Sequence, residues 1–254
     1  MTLRANQKLA IDTSVKNDFE SGIHYHATGT GKSWIAMFLL NEFNNKHPSK
    51  NVLWICERKD ILSEQFSKSS IKNRGFCEIL KKFNILDFVE KKHDSWYDSL
   101  NSSIFWGKPF LCIINRCFLT SQQKYVNIRN KIDLVIHDEC HSIENKTTQE
   151  FYKWIELKFN SNIIGFSATP VKQKPLDKIL SQYSIYDGFL DKVILPPKII
   201  WMKSEKQPSN KHLIEILLSE INKLPYKKII VWCGMIEECL KIAHSWKQYF
   251  EDYS

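Results

Sequence analysis

Asp133-Leu134-Val135-Ile136-His137-Asp138-Glu139-Cys140-His141 is the stretch that decides the fold. Its first half, Asp133–His137, is short, apolar and rich in β-branched residues, with no polar alternation. A strand of that kind is buried on both faces, as in a parallel sheet covered by helices. Three other runs share this character: Asn51–Glu57 (NVLWICE), Phe110–Asn115 (FLCIIN) and Asn162–Phe166 (NIIGF). Between the runs the pattern predicts helices over Gly31–Phe43, Ile61–Ser67, Gly75–Phe83 and Thr147–Phe159. Strands alternating with helices in this way predict a doubly wound α/β domain.

Composition agrees and removes other classes. The chain has 254 residues, 43% hydrophobic and 25% charged, which is globular usage. No stretch of about 18 uncharged apolar residues occurs, so a membrane span is not expected. The start, Met1 to Asp12, carries no apolar core region and no cleavage signature, so it does not read as a secretory signal. The cysteines number 7, and none forms a C-x-x-C pair. Buried thiols in a reducing intracellular compartment, cytoplasmic or nuclear, are expected in place of zinc or disulfides. The net charge is +8, with the basic excess lying ahead of Ile199, which suits a polyanionic partner.

Upstream of the deciding strand stands Ala27-Thr28-Gly29-Thr30-Gly31-Lys32-Ser33, followed by apolar Trp34–Leu40. Glycines let successive backbone N–H groups converge on phosphate oxygens with no Cβ in the way. The following helix offers its positive N-terminus to the same anion. Lys32 would reach the β- and γ-phosphates, and the Ser33 hydroxyl would hold Mg²⁺. The strict phosphate-loop pattern has glycine where His26 stands. Alone, the stretch could also be a Gly-rich turn capping an amphipathic helix. The Asp138-Glu139 pair favours the phosphate reading, because ligands of parallel sheets collect at the carboxyl ends of strands. There one carboxylate can anchor Mg²⁺ while the next orients an attacking water. A third element, Phe166-Ser167-Ala168-Thr169-Pro170, follows the last apolar run. Its hydroxyls could bond His141 or a neighbouring carboxylate.

Together these residues resemble the superfamily-two helicases and nucleic-acid translocases. ATGTGKS resembles motif I, DECH the DExH form of motif II, and SAT motif III, in the same order. Leu3-Arg4-Ala5-Asn6-Gln7 resembles the element whose Gln reads adenine. Glu57-Arg58-Lys59-Asp60-Ile61-Leu62, followed by Gln65, resembles motif Ia with an irregular spacing. Ile113–Leu119 stands where a strand-end nucleic-acid contact belongs. The flavour is nearer the restriction-enzyme motor and repair-translocase branch than the DEAD-box RNA helicases. Lys228–Glu238 resembles motif IV, with Gly234 where Ser is more usual.

The resemblance implies a RecA-like doubly wound parallel sheet with flanking helices, plus the beginning of a second RecA-like lobe. The implied domains are 1–190 (ATP-binding lobe), 191–225 (connection) and 226–254 (start of the second lobe). It implies ATP and Mg²⁺ as cofactors, bound through Thr28, Gly29, Thr30, Gly31, Lys32 and Ser33. Asp138 joins Ser33 on the metal, Glu139 is the base, and Gln7 with Arg4 reads adenine. His141, Ser167 and Thr169 couple the site to nucleic acid, which Arg58 and Asn115 touch. The partner is DNA or RNA, DNA slightly favoured, and no membrane.

The arginines are Arg4, Arg58, Arg74, Arg116 and Arg129, none near the second-lobe segment that supplies arginine fingers in the family. The chain is therefore expected to bind ATP and to hydrolyse it slowly or not at all alone, a second chain being one source of the missing lobe. Two alternatives stay open: a non-catalytic module that binds ATP and nucleic acid, and an unrelated phosphate-loop enzyme such as a small-molecule kinase. Trp54 and Trp232 are expected in the core, with base stacking considered for Trp96 and Trp106.

Overall fold

The computed structural model describes residues 3–89, 96–102, 108–169 and 173–195, with scattered positions from Glu215 to Trp246. The chain divides into two compact units, Met1–Pro196 and Pro197–Ser254. In the first, seven strands among the described residues form one sheet. They are β1 (Gly22–His26), β2 (Val52–Cys56), β3 (Asn84–Asp87), β4 (Phe110–Asn115), β5 (Leu134–Asp138), β6 (Asn162–Ser167) and β7 (Ile179–Tyr183). Their order across the sheet is β3-β4-β2-β5-β6-β1-β7, and every pairing is parallel.

Parallel neighbours need crossovers, and helices supply them on both faces. On one face α1 (Ala5–Lys16) and α2 (Lys32–Lys46) bring Ala10, Ile35 and Leu39 against Trp54, Ile113 and Ile136. On the other, α8 (Lys146–Phe159) brings Phe151 and Ile155 against Leu53, Ile55 and Val135. Alternate residues of one strand thus serve opposite cores, which explains why β2, β4 and β5 read as unbroken apolar runs. This is the RecA-like α/β architecture. Trp54 is fully buried at its centre, and truncation of such a side chain to alanine removes about 3–5 kcal/mol.

The sequence reading finds β2, β4, β5 and β6 within a residue of their ends. It misses β1, β3, β7 and α1. Strand β1 reads Gly-Ile-His-Tyr-His, with polar types at core positions. His24 is nevertheless fully buried, its ring nitrogens bonded to Ser14 Oγ (2.8 Å) and Ser181 Oγ (2.7 Å). It stacks on Phe166 at 5.0 Å. Burial pushes its pKa down to about 3, so the ring is neutral and behaves as a satisfied core residue. The expected helix Gly75–Phe83 contracts to α5 (Cys77–Leu80), because Gly75 takes a φ of 68° and turns the chain first.

In the second unit the described positions, Glu215 and Trp246 among them, are helical. All of the motif IV-like stretch Lys228–Glu238 but Glu237, and Trp106, Trp232 and Pro170, lie outside the described residues.

Candidate functional site at the strand tips

Strand order sets the site. β6 lies between β5 and β1, so the tips that carry Asp138, Ser167 and the glycine loop are adjacent. Tyr25 of β1 pairs with Ser167, and Asp138 of β5 with Phe166. Beyond β1 the loop turns through Gly29 (φ 83°) and Gly31 (φ 93°) into α2. Successive left-handed glycines turn backbone N–H groups inward, and the helix N-terminus lies behind them. Thr30 ties the loop by donating from Oγ1 to the Ala27 carbonyl at 2.6 Å. The φ of Gly31 favours glycine there, and a Cβ would stand 2.4 Å from Gln7 Nε2, so the Gln7 amide would have to shift.

Lys32 is buried, and its Nζ lies 3.3 Å from Glu139 Oε1. Glu139 sits in the left-handed region (φ 54°, ψ 50°), a strained backbone for a side chain of its size. His141 Nδ1 lies 3.7 Å from the other Glu139 oxygen, and its side chain is half exposed. Asp138 is fully buried at the end of β5. Burial raises its pKa from the ordinary carboxylate value, Glu139 adds to the rise, and Gln65 and Lys32 oppose it.

The residue that joins the two halves is Gln65, at the end of α3 (Lys59–Gln65). Its Nε2 donates to Asp138 Oδ2 at 2.6 Å and to Ser33 Oγ at 2.8 Å. The hydroxyl and the carboxylate expected to hold Mg²⁺ therefore lie within the reach of one amide. They are hard oxygen donors, and Gln65 Oε1 is buried nearby with no hydrogen-bond partner. This donor set fits Mg²⁺, which takes one or two protein oxygens and completes its shell with phosphates and water. No group of three His, Cys, Asp or Glu among the described residues forms another metal site.

The remaining expected residues fall less uniformly. Thr28 and Gly29 are exposed at the loop tip. Gln7 is buried, with Oε1 accepting from the Arg4 backbone N–H (3.0 Å) and Nε2 donating weakly to the Thr30 carbonyl (3.4 Å). Arg4 itself is exposed at the start of α1. Ser167 and Thr169 bond each other (3.1 Å) in a local turn instead of reaching His141. Arg58 is exposed and paired with Asp60. Asn115 is buried: its Nδ2 donates to the Cys56 and Glu57 carbonyls, and its Oδ1 caps α7 (Arg116–Thr120). The side chain is committed to backbone groups.

Beside the site, Glu57 and Arg116 form a buried ion pair, with Arg116 Nη2 donating to Glu57 Oε2 at 2.7 Å. Arg116 Nη1 also donates to Thr148 Oγ1 (3.1 Å), and Ser142 donates to Glu57. His137 bonds Tyr152 in the same cluster. Sequence reading gives neither residue this role; an acid and a base at adjacent strand ends were the available signal.

A family model described as "Type III restriction enzyme, res subunit" matches residues 1–172. The chain belongs to that family. A putative type I restriction enzyme MjaVIIIP endonuclease subunit of Methanocaldococcus jannaschii is 25% identical over 253 residues, covering 87% of this chain. The type I restriction enzyme SauMSSORF170P endonuclease subunit of Staphylococcus aureus is 25% identical over 177 residues, covering 67% of this chain. The chain spans 24% and 17% of the lengths of these relatives. Two solved structures share the fold. One is a nuclease-deletion mutant of the Type ISP restriction-modification enzyme LlaGI in complex with a DNA substrate mimic (TM-score 0.55, 12% identity, 88% of this chain and 22% of that one). The other is the ATP-dependent Type ISP enzyme LlaBIII bound to DNA (TM-score 0.53, 14% identity, 76% and 16%). This res-family chain is thus a helicase-like restriction-enzyme domain, and among its described residues no helix is long and apolar enough to cross a membrane.

Proposed function

We propose that residues 1–190 form the ATP-binding lobe of a superfamily-two DNA translocase. The observation that carries this is the gathering of Lys32, Ser33, Asp138 and Glu139 at neighbouring strand tips, under a loop with two left-handed glycines. ATP would lay its β- and γ-phosphates against Lys32 and the loop N–H groups. Ser33 and Asp138 would hold Mg²⁺, which when bound supplies charge neutralisation and Lewis acidity. Lys32 then exchanges Glu139 for phosphate, and the released carboxylate is free to orient the attacking water and take its proton. Gln7 and Arg4 would read adenine, and His141, Ser167 and Thr169 would carry the nucleotide state to the nucleic acid.

DNA is favoured over RNA as the track because the relatives are restriction-enzyme subunits and the structural neighbours hold DNA. The net charge of +8 suits phosphate contacts, with Arg58 exposed beside the site to make one. Residues 191–225 would connect to a second lobe beginning at 226–254. Every arginine lies at or before Arg129, so the finger that speeds phosphoryl transfer by about 10³–10⁵ would come from a second lobe or chain.

The test is ATP binding and turnover by the 254-residue chain, with single- and double-stranded DNA and RNA, beside a Lys32→Ala variant. Nucleotide binding that needs Lys32, DNA binding in preference to RNA and little turnover are expected. Turnover at an ordinary helicase rate from this chain alone would overturn the need for a second lobe. Absence of nucleotide binding would overturn the reading itself.

A further inference from the structure

Gln65 closes the motif Ia-like stretch but carries no role in the resemblance, and its surroundings are unusual. Leu62 of the same helix is fully buried, and Phe66, the next residue, packs edge-on against Trp54 at 5.2 Å. These two anchors fix the end of α3, so the Gln65 amide is held across the tip of β5. The side chain is only 7% exposed. Both amide hydrogens are engaged, one by Asp138 Oδ2 and one by Ser33 Oγ. Its oxygen, equally buried, has no hydrogen-bond partner. A buried carbonyl oxygen without a donor is costly, and a glutamine in the core normally avoids it.

The unpaired oxygen identifies what the position lacks, which is a donor close to Ser33 and Asp138. A hydrated magnesium ion brings such donors, because Mg²⁺ keeps several of its waters when protein oxygens bind it. We propose that Gln65 is a positioning residue of the cation site: it holds Ser33 and Asp138 together, and its Oε1 accepts from a metal-bound water. This rests on the nucleotide reading above and extends it to a residue that touches neither phosphate nor metal. Partners of this kind set metal affinity by about 10- to 100-fold.

The test uses the full chain and N-methylanthraniloyl-ADP as a fluorescent probe. Its affinity is measured in EDTA, and its fluorescence is then followed across a Mg²⁺ titration. Gln65→Leu keeps shape and removes the amide; Gln65→Asn keeps the amide and withdraws it by one methylene. Both are expected to leave the EDTA affinity near the parent's, with a modest fall in melting temperature where the buried Asp138 carboxyl loses its donor, and to raise the half-saturating Mg²⁺ concentration about tenfold or more. An unchanged magnesium requirement in both variants, with the parent binding normally, overturns the inference and leaves the nucleotide site standing. A parallel loss of EDTA affinity and melting temperature marks a structural role and also overturns it. If the parent chain does not bind the probe, inference and nucleotide reading fall together.

Discussion

Two buried polar clusters stand side by side at the carboxyl edge of this sheet, and they differ in charge balance. In one, Glu57 and Arg116 cancel each other, and Ser142 and Thr148 add hydrogen bonds. In the other, Asp138 and Glu139 face the single cation Lys32, and the Gln65 oxygen has no donor. The first cluster pairs its charges, although His137 Nε2 has no hydrogen-bond partner there, and acts as a joint between β2, β4 and α8. The second sets two carboxyl groups against one ammonium and leaves an acceptor spare, which a divalent cation would complete. Buried ionic groups that balance serve the fold, whereas buried groups left unbalanced mark a place for a ligand.

Acid gives the largest way to break this contrast, because it titrates both regions. Burial lowers the pKa of His24 to about 3, of His26 to about 4 and of His137 to about 3. Unfolded histidine titrates near 6.5, so below that pH the unfolded chain takes up protons that the folded chain refuses. Stability is therefore flat above pH ~6.5 and falls by about 1.4 kcal/mol per pH unit for each such histidine down to the folded pKa. Urea midpoints measured between pH 8 and pH 4.5 should show a plateau and then a steep decline. A flat profile across that range would mean that the imidazoles are not buried as described.

Next in size is Arg116→Ala, which strands the Glu57 carboxylate in the interior. It should lower unfolding free energy by about 3–5 kcal/mol in urea titrations. Lys32→Ala, beside a Glu139 that is partly exposed, should fold with a stability much nearer the parent's. Equal losses in the two variants would erase the distinction between joint and site. Gly31→Ala comes third: a φ of 93° predicts strain of about 1–3 kcal/mol, and the added Cβ displaces the Gln7 amide, so nucleotide binding weakens, read by melting and fluorescence titration. Smallest is Arg58→Ala. Its pair with Asp60 is exposed, so the melting temperature should not move, while the slope of log DNA affinity against log salt falls by about one.

Much of this architecture is legible in the chain because β2, β4, β5 and β6 are buried on both faces and contain few polar residues. Strand β1 is hidden because His24 and His26 look like surface residues, and only Ser14, Ser181 and Phe166, far away in sequence, make them core. Strand β7 lies at the sheet edge, where Ser181 and Gln182 break the apolar run. At the site, Lys32, Ser33, Asp138 and Glu139 are readable since motif order survives in sequence. Residue type alone does not tell which polar side chain another element will occupy. Asn115 stands at a strand end as a nucleic-acid contact would, yet its amide serves the Cys56 and Glu57 carbonyls and the cap of α7. Gln65 follows its motif at an irregular spacing, and only the end of α3 aims it between Ser33 and Asp138.

The central claim is that a nucleotide's phosphates and their cation meet between Lys32 and Asp138. The direct measurement is equilibrium binding of a fluorescent ATP analogue to parent and Lys32→Ala chains, with and without Mg²⁺. Saturable binding that tightens with Mg²⁺ and disappears in a folded Lys32→Ala chain is the predicted result. Equal binding by both chains, or none by either, would contradict the account.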